Sequence, residues 1–266
     1  MYKILVLIFL LPYIVFGNEY HLKLKDSDIY IFSLKTSPIN PSILLPHLDS
    51  EKELIKEMYE GKNKTNEHNI MLIKDAKFIA LVDTGYENTI EKLQMFLKKA
   101  GVNFEDITHI IITHGHMDHI GGLTQNGKKT FPNAKLLIDE KEYNYWINQE
   151  VKAKEILTQF QENKEFFNHN DKLFDSSLEI KAIKAYGHTP GHNILSIQKG
   201  KDKLIFWADL LHTFDVQNIQ PHISVTYDID KEEAAKVRTK FLEEWKKNKV
   251  LGVGTHTPFT QPIALE

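Results

Sequence analysis

Ten residues, Thr113-His114-Gly115-His116-Met117-Asp118-His119-Ile120-Gly121-Gly122, follow an apolar, β-branched run that predicts a strand. His114 and His116 lie two positions apart where this strand would end. Because alternate side chains of an extended strand share a face, both imidazoles can reach one metal ion. Asp118 and His119 come next as the chain turns, and they can bind a second ion nearby. These nitrogen and oxygen ligands favour zinc, and they also suit manganese or iron.

The amino-acid composition restricts both the ligands and the partners. The chain has 266 residues, 42% of them hydrophobic, which suits one large domain or two small ones. It has no cysteine, so disulfides, cysteine-ligated metal sites and cysteine nucleophiles are excluded. With 13 histidines present, imidazole and carboxylate groups must supply the ligands of any transition metal. The formal net charge of −3 leaves no basic excess, which argues against nucleic-acid binding.

The histidine-rich segment resembles the His-x-His-x-Asp-His signature of the metallo-β-lactamase superfamily. Four further stretches resemble the other motifs of that family, in the same order along the chain. They are Leu81-Val82-Asp83-Thr84-Gly85, Gly187-His188-Thr189-Pro190-Gly191-His192, Asp209 after a short apolar run, and His256 after Gly254-Thr255. The resemblance implies an α/β fold, the four-layer αββα sandwich, over most of the chain.

The resemblance also implies a set of seven metal ligands. In this set His114, His116 and His188 bind one ion, Asp118, His119 and His256 bind the other, and Asp209 bridges both. Asp83 would orient one of the ligands through a hydrogen bond. The implied cofactors are two Zn²⁺, with Mn²⁺ or Fe²⁺ as alternatives. A metal-bridging hydroxide would attack an electrophilic carbon or phosphorus, with Asp118 and Asp209 as the catalytic carboxylates.

Within the superfamily, the chain is similar to the methyl parathion hydrolase and lactonase-like branch. The stretches that carry this similarity are residues 206–212, residues 224–228 and His256-Thr257-Pro258-Phe259. The similarity implies hydrolysis of an ester, a lactone or a phosphotriester in a small-molecule substrate. We expect Trp146, His212 and Phe259 to line the substrate pocket.

Other activities of the same superfamily remain open at this stage. The absence of cysteine and the presence of Asp209 disfavour a β-lactamase. A glyoxalase-II-like thioesterase has the same ligand set. The ligand types also permit iron, and hence a non-hydrolytic oxidoreductase of the persulfide dioxygenase kind. A metal-holding binding protein without turnover is a further alternative.

The hydrophobic pattern outlines the elements around these motifs. Short apolar runs at both ends of the chain predict strands, and an aromatic-rich helical insertion is expected around residues 140–170. Ser50 with Glu53, and Asp230 with Glu233, have the spacing of capping boxes that begin helices.

The N-terminal segment has the pattern of an export signal. Residues 4–16 are apolar apart from one proline, and they follow the lone charge of Lys3. This run is short for a membrane span, which needs about 20 residues. We therefore expect residues 1–17 to be a signal peptide and residues 18–266 to form the hydrolase domain. The implied location is periplasmic or secreted, without membrane association beyond the export signal, and a homodimer is left open.

Overall fold

Two β-sheets lie face to face in the computed structural model, and helices cover the outer side of each sheet. The structure describes residues 19–24 and 26–266, so the signal peptide predicted for residues 1–17 lies outside the described residues. The four layers form an αββα sandwich, which confirms the predicted fold class.

The strands of the described residues belong to two large sheets and two small ribbons. In chain order they are β1 (Glu19–Leu24), β2 (Ser27–Pro38), β3 (Leu44–Leu45), β4 (Thr65–Asp75), β5 (Ile79–Val82), β6 (His109–Ile111), β7 (Thr124–Gln125), β8 (Lys128–Lys129), β9 (Lys135–Ile138), β10 (Lys164–Phe166), β11 (Glu179–Lys184), β12 (Asn193–Lys199), β13 (Asp202–Phe206), β14 (Ser224–Val225), β15 (Leu251–Val253), β16 (His256–Thr257) and β17 (Ile263–Ala264). The larger sheet has the order β1-β2-β4-β5-β6-β9-β10, with β16 paired to β4. The smaller sheet has the order β11-β12-β13-β15-β17. The ribbons pair β3 with β14 and β7 with β8.

The helices of the described residues lie outside the two sheets or in the loops between strands. They are α1 (Asp49–Tyr59), α2 (Ile90–Lys99), α3 (Met117–Ile120), α4 (Glu140–Gln149), α5 (Val151–Leu157), α6 (Phe214–Gln217) and α7 (Lys231–Asn248). Short 3₁₀ helices occupy Pro41–Ile43, Glu87–Thr89, Phe104–Asp106, Gly121–Leu123 and Thr158–Asn163. The α2, α4 and α5 side chains pack on the larger sheet, and those of α7 pack on the smaller one.

Alternate residues of the central strands pack on opposite faces of their sheet. On β2, Ile29 and Ile31 belong to the core between the sheets, whereas Phe32 packs beneath the outer helices. On β13, Phe206 faces the shared core and Ile205 faces the α7 layer. Within residues 29–32 and 204–206 both faces of the strand pack on apolar layers, so these runs are continuously apolar and do not alternate with polar residues.

The insertion predicted around residues 140–170 is helical only in its first part. At Glu150 the backbone is extended (φ −134°, ψ 125°), which ends α4 before α5 begins. After the last 3₁₀ helix, β10 leaves the helical layer and pairs in parallel with β9. This pairing supplies the hydrogen bonds that the backbone would have lost by leaving the helix.

Helix α1 does not begin with the predicted box of Ser50 and Glu53. The carboxylate of Glu51 instead accepts hydrogen bonds from the backbone N–H groups of His47 (2.6 Å) and Leu48 (3.1 Å). Glu51 satisfies donors that precede the helix, as the acidic member of a capping box does. The prediction placed the N-cap at Ser50, two residues after the observed N-cap Leu48, and assigned the capping box to the wrong acidic residue.

Helix α7 begins as the sequence predicts. The Asp230 carboxylate accepts a hydrogen bond from the backbone N–H of Glu233 at 3.0 Å. The buried residues Ala234, Phe241 and Trp245 lie along one side of this helix. They hold α7 close to the loops that follow β11 and β13, where candidate ligands lie.

Candidate metal centre

The seven predicted metal ligands come together where loops of both sheets meet. They lie as follows: His114 and His116 after β6, Asp118 and His119 on α3, His188 between β11 and β12, Asp209 after β13, and His256 on β16. They form two groups, within each of which the ligand atoms lie no more than 4.8 Å apart. The groups are His114 with His116 and His188, and Asp118 with His119, Asp209 and His256.

The ring nitrogens of the first group converge on one point. His116 Nδ1 lies 3.1 Å from His114 Nε2 and 3.0 Å from His188 Nε2. Burial lowers the pKa of His116 to about 4, and it holds the pKa values of the other two rings well below their usual range. All three rings are therefore neutral at pH 7, and neutral imidazole is the form that binds a metal ion.

Asp209 is central to the second group and also reaches the first. Its carboxylate lies 3.2 Å from His119 Nε2, 3.2 Å from His256 Nε2 and 3.7 Å from His114 Nε2. Burial opposes ionisation of Asp209, yet the imidazoles of His256 and His119 hold its pKa well below the usual value. This carboxylate is the one candidate ligand placed to be shared between two ions.

The donor atoms fit two cations of the zinc type. His119 Nε2 and Asp209 Oδ1 are buried, and neither atom has a hydrogen-bond partner among the residues that the structure describes. A buried polar atom without a partner is costly unless a ligand satisfies it. Imidazole nitrogen and carboxylate oxygen are the donors that Zn²⁺ accepts in proteins, and both kinds converge here.

Asp83 holds His119 in the orientation that such a site needs. Its carboxylate lies 2.8 Å from His119 Nδ1 and accepts hydrogen bonds from the N–H (2.8 Å) and Oγ1–H (2.7 Å) of Thr113. With Nδ1–H donated to Asp83, the lone pair of Nε2 points toward Asp209. Asp83 is fully buried and has a left-handed backbone (φ 59°), which is strained for a residue other than glycine.

His188 has an equivalent carboxylate partner that the sequence did not reveal. Asp228 Oδ1 lies 2.9 Å from His188 Nδ1, and Asp228 Oδ2 accepts a hydrogen bond from the guanidinium of Arg238 at 2.9 Å. Burial opposes ionisation of Asp228, but His188 and Arg238 hold its pKa well below the usual value. Arg238 lies on α7, outside the sequence motifs. Through Asp228 it holds the candidate ligand His188 in place.

Glu142 is a second buried carboxylate that the sequence did not reveal. It accepts hydrogen bonds from Gly115 N (2.7 Å), Trp146 Nε1 (2.5 Å), Thr189 Oγ1 (2.8 Å) and Gly191 N (2.7 Å). Burial raises the pKa of Glu142 to about 6, and the four hydrogen bonds act in the opposite direction.

A cavity of about 430 Å³ opens over the two ligand groups. Its wall includes the candidate ligands His116, Asp118, Asp209 and His256. His212 also lines the cavity, as predicted for the substrate pocket, and its Nε2 lies 3.2 Å from Asp209.

The other two predicted pocket residues do not line the cavity. Trp146 lies behind His116, with the ring centroids 5.1 Å apart, because its Nε1–H is held by Glu142. Phe259 packs edge-on against Phe214 at 5.1 Å, in the core beside the smaller sheet. Both residues pack as aromatic core that supports the site, and their contact with substrate stays a prediction.

A row of aromatic rings forms one wall of the cavity. The ring centroids of Tyr86 and His68 are 5.8 Å apart, and those of His68 and His256 are 5.5 Å apart. The row continues from His256 to His212 at 5.3 Å and from His212 to Tyr227 at 5.9 Å. Sequence reasoning did not find His68, Tyr86 or Tyr227, since strands that are far apart in sequence bring them together.

Residues 64–256 match the metallo-beta-lactamase superfamily. The match covers most of the chain and contains every candidate ligand. The chain belongs to this superfamily, as its motifs and its αββα fold indicate.

The relatives of this chain include lactonases. The N-acyl homoserine lactonase of Bacillus cereus is 30% identical over 119 residues, which are 43% of this chain and 42% of that enzyme. The chain thus matches about two fifths of the length of such curated relatives. AidC, a dizinc quorum-quenching lactonase solved in complex with a product, has a TM-score of 0.81 and 27% identity, with 92% of each chain covered. Hydrolase AbOPH has the same TM-score at 22% identity, with 93% of each chain covered, and supports the fold alone.

Proposed function

We propose that this protein is an exported, binuclear zinc hydrolase that opens the ring of an uncharged lactone. The observation that carries the proposal is the pair of ligand groups beneath an open cavity, with Asp209 in the second group and its carboxylate 3.7 Å from His114 Nε2 of the first. Two zinc ions held there would lower the pKa of a shared water toward about 7 and polarise the carbonyl oxygen of the substrate. The similarity to AidC, a dizinc lactonase, supports both the metal and the substrate class.

Asp118 is the residue best placed to move a proton. It lines the cavity, and its Oδ2 lies 3.2 Å from His256 Nε2. Burial opposes its ionisation, but His119 and His256 hold the pKa of Asp118 well below the usual value. The ionised carboxylate can accept a proton from the attacking water and pass it to the ring oxygen as the C–O bond breaks. The product of this step is a hydroxy acid.

One side of the cavity suits an aliphatic chain. Pro38 lines it from the end of β2, Ile39 and Ile43 line it from the segment that follows, and Met117 lines it from α3. Apolar walls beside a few polar groups are typical of sites for uncharged small molecules. We therefore favour a lactone with an apolar side chain, and we keep carboxylic esters and phosphotriesters as alternatives that the same site would cleave.

The test combines metal analysis with rates on a substrate panel. We expect about two zinc ions per chain by elemental mass spectrometry, and faster hydrolysis of acyl lactones than of aryl esters, thioesters, β-lactams or phosphotriesters. His116→Ala removes a ligand that also lines the cavity, and we expect it to lower lactonase activity at least ~100-fold. His47→Ala, at an exposed histidine outside the site, is the matched control and should behave as wild type.

Three results would replace the proposal. Bound iron without zinc would favour the non-hydrolytic oxidoreductase. Faster hydrolysis of thioesters than of lactones would favour the glyoxalase-II-like thioesterase. Two bound zinc ions without turnover of any substrate would favour a binding protein. Equal activity of the His116→Ala variant would exclude this site from the reaction.

Export is the part of the proposal that depends on residues 1–17. Their apolar run after Lys3 supports a cleaved signal that delivers the enzyme to the periplasm or the medium. Within residues 19–24 and 26–266, the structure contains no helix with the length and apolar character needed to span a bilayer. Cell fractionation and N-terminal sequencing of the full chain should find the protein outside the cytoplasm, beginning near Asn18. A cytoplasmic protein that retains Met1 would contradict export.

A further inference from the structure

Helix α4 contacts both loops that carry the histidine group. Gly115 lies between the ligands His114 and His116, and a side chain there would collide with the Trp146 ring of α4. Gly191 lies just after His188, and an added Cβ would lie 2.5 Å from the backbone nitrogen of Glu142. Both loops therefore pack on α4 at positions that only glycine fits.

The carboxylate of Glu142 joins these loops through its two oxygens. Oε1 accepts the N–H of Gly115, the peptide unit between two ligands, and also the Nε1–H of Trp146. Oε2 accepts the Oγ1–H of Thr189 and the N–H of Gly191, which follow the third ligand, His188, in its loop. One side chain thus fixes the backbone on both sides of the cluster of three imidazoles.

The surroundings of Glu142 accept a carboxylate and disfavour an amide. Three of its four partners are N–H groups, which can only donate hydrogen bonds, and the side chain is fully buried. Glutamine has nearly the same shape, but its NH₂ group would face an N–H donor at one of the two oxygen positions. The backbone of one ligand loop would then have to move, or a buried donor would lose its partner.

We propose that Glu142 is a positioning residue that sets the spacing of His114, His116 and His188, and so determines metal affinity at this group alone. The inference rests on the proposed function only in assuming that the three imidazoles bind an ion. Glu142 contacts none of the ligands of the second group, so its removal leaves the geometry of Asp118, His119 and His256 unchanged.

The test is a zinc titration of the full chain against a competing chromophoric chelator, with no substrate present. We expect Glu142→Gln to weaken one of two zinc sites by about 10- to 100-fold and to leave the other unchanged. Glu140→Gln, at an exposed position on the same helix, is the matched control and should bind both ions as wild type does.

A second variant identifies which site is weakened. Asp118→Asn removes a ligand of the other group, so this variant should keep one tight ion, and the double variant with Glu142→Gln should keep none. Thr189→Val deletes a single donor to Glu142 with little change of shape, and it should weaken the same site by a smaller factor. This milder variant preserves the test if Glu142→Gln folds poorly.

The outcomes separate this inference from the proposed function. Selective loss of one zinc site in Glu142→Gln supports the positioning role even if no lactone is cleaved. Two wild-type affinities in Glu142→Gln, or equal weakening of both sites together with a loss of thermal stability, would overturn it. Suppose that wild type hydrolyses lactones and that Glu142→Gln binds zinc as wild type does. The proposed function would then stand, and only the positioning role of Glu142 would be excluded.

Discussion

Arg238 is the only arginine in a chain with 33 lysine and arginine residues. Its buried guanidinium donates hydrogen bonds to the carbonyls of Leu210 (2.6 Å), Pro221 (2.9 Å) and Ile223 (3.0 Å), and to the carboxylate of Asp228. These acceptors lie in several directions around a planar group. An arginine has enough donors in the right geometry to satisfy all of them, and a lysine does not.

We predict that Arg238→Lys lowers the free energy of unfolding by about 2–4 kcal/mol, because buried acceptors lose their donors and Asp228 keeps a weaker partner. Urea unfolding of the metal-free protein measures this change. Lys240→Arg, at an exposed position on the same helix, is the reciprocal control and should change the unfolding free energy by less than about 0.5 kcal/mol. A wild-type unfolding curve for Arg238→Lys would mean that the guanidinium hydrogen bonds add no stability beyond what a lysine supplies.

The candidate ligands could be predicted from the sequence because their motifs are local. His114, His116, Asp118 and His119 fall within six positions, and the type and spacing of their side chains already limit the chemistry. Asp83 was predicted from the family motif, but the other residues that hold the ligands in place could not be found in this way. Glu142 acts through the backbone of distant loops, so nothing in its own neighbourhood marks it. The single arginine in a lysine-rich chain was a signal for Arg238 that sequence reasoning did not use.

At the scale of elements, α1 is held to the region before β14 by one buried carboxylate. Glu51 Oε1 lies 2.6 Å from His222 Nε2, while Oε2 accepts the two backbone N–H groups that precede the helix. The hydrogen bond with His222, opposed by burial and helped by the backbone donors, lowers the pKa of Glu51 from 4.5 to about 2. The folded pKa lies below the unfolded value. Ionised Glu51 therefore stabilises the fold above about pH 4.5, and this contribution disappears as the pH falls toward 2.

We predict that Glu51→Gln lowers the unfolding free energy by roughly 1–3 kcal/mol at pH 7, and that the difference from wild type vanishes near pH 2. Unfolding curves between pH 7 and pH 2 for both proteins test this. Glu53→Gln, exposed on the same helix, should follow wild type throughout. A gap between Glu51→Gln and wild type that stays constant with pH would show that the charge of Glu51 is not the cause.

Whether a segment forms a helix or a strand was predictable where its hydrophobic pattern ran over several residues. The residues at which helices and strands begin and end were less predictable. The apolar runs became buried strands, and Asp230 begins α7 as its spacing indicated. The last part of the insertion, where Lys164–Phe166 form a strand, was predicted to be helical, because its aromatic residues have no period that separates helix from strand. Pairing of β10 with β9, a tertiary contact, decided its structure.

At the scale of the whole molecule, the candidate ligands join the two sheets. His114, His116 and His256 come from the larger sheet and its loops, whereas His188 and Asp209 come from loops of the smaller sheet. Ions bound to both sets would act as crosslinks across the sandwich. Ligands that bind only the folded state add about 2.7 kcal/mol of stability at a free concentration 100 times the Kd.

We predict that removing metal with a chelator lowers the Tm by roughly 5–10 °C, and that added zinc restores it. Asp209→Asn should lose most of this zinc-dependent gain, because both ligand groups depend on Asp209. Asp202→Asn, at an exposed carboxylate on β13, should keep the full gain. Differential scanning calorimetry measures the change, and an undiminished gain in Asp209→Asn would rule out a shared bridging ligand.

The strand β16 pairs His256 with His68 of β4, so a segment near the C-terminus completes a sheet that begins near the N-terminus. During synthesis the ribosome releases the chain from its N-terminus, and His256 emerges after the other six candidate ligands. Until then the second ligand group lacks a member, and the long-range pairing that places this residue is a slow kind of contact to form. Metal uptake at this group therefore requires a chain synthesised through His256, and a chain terminated before this residue would compete poorly for zinc.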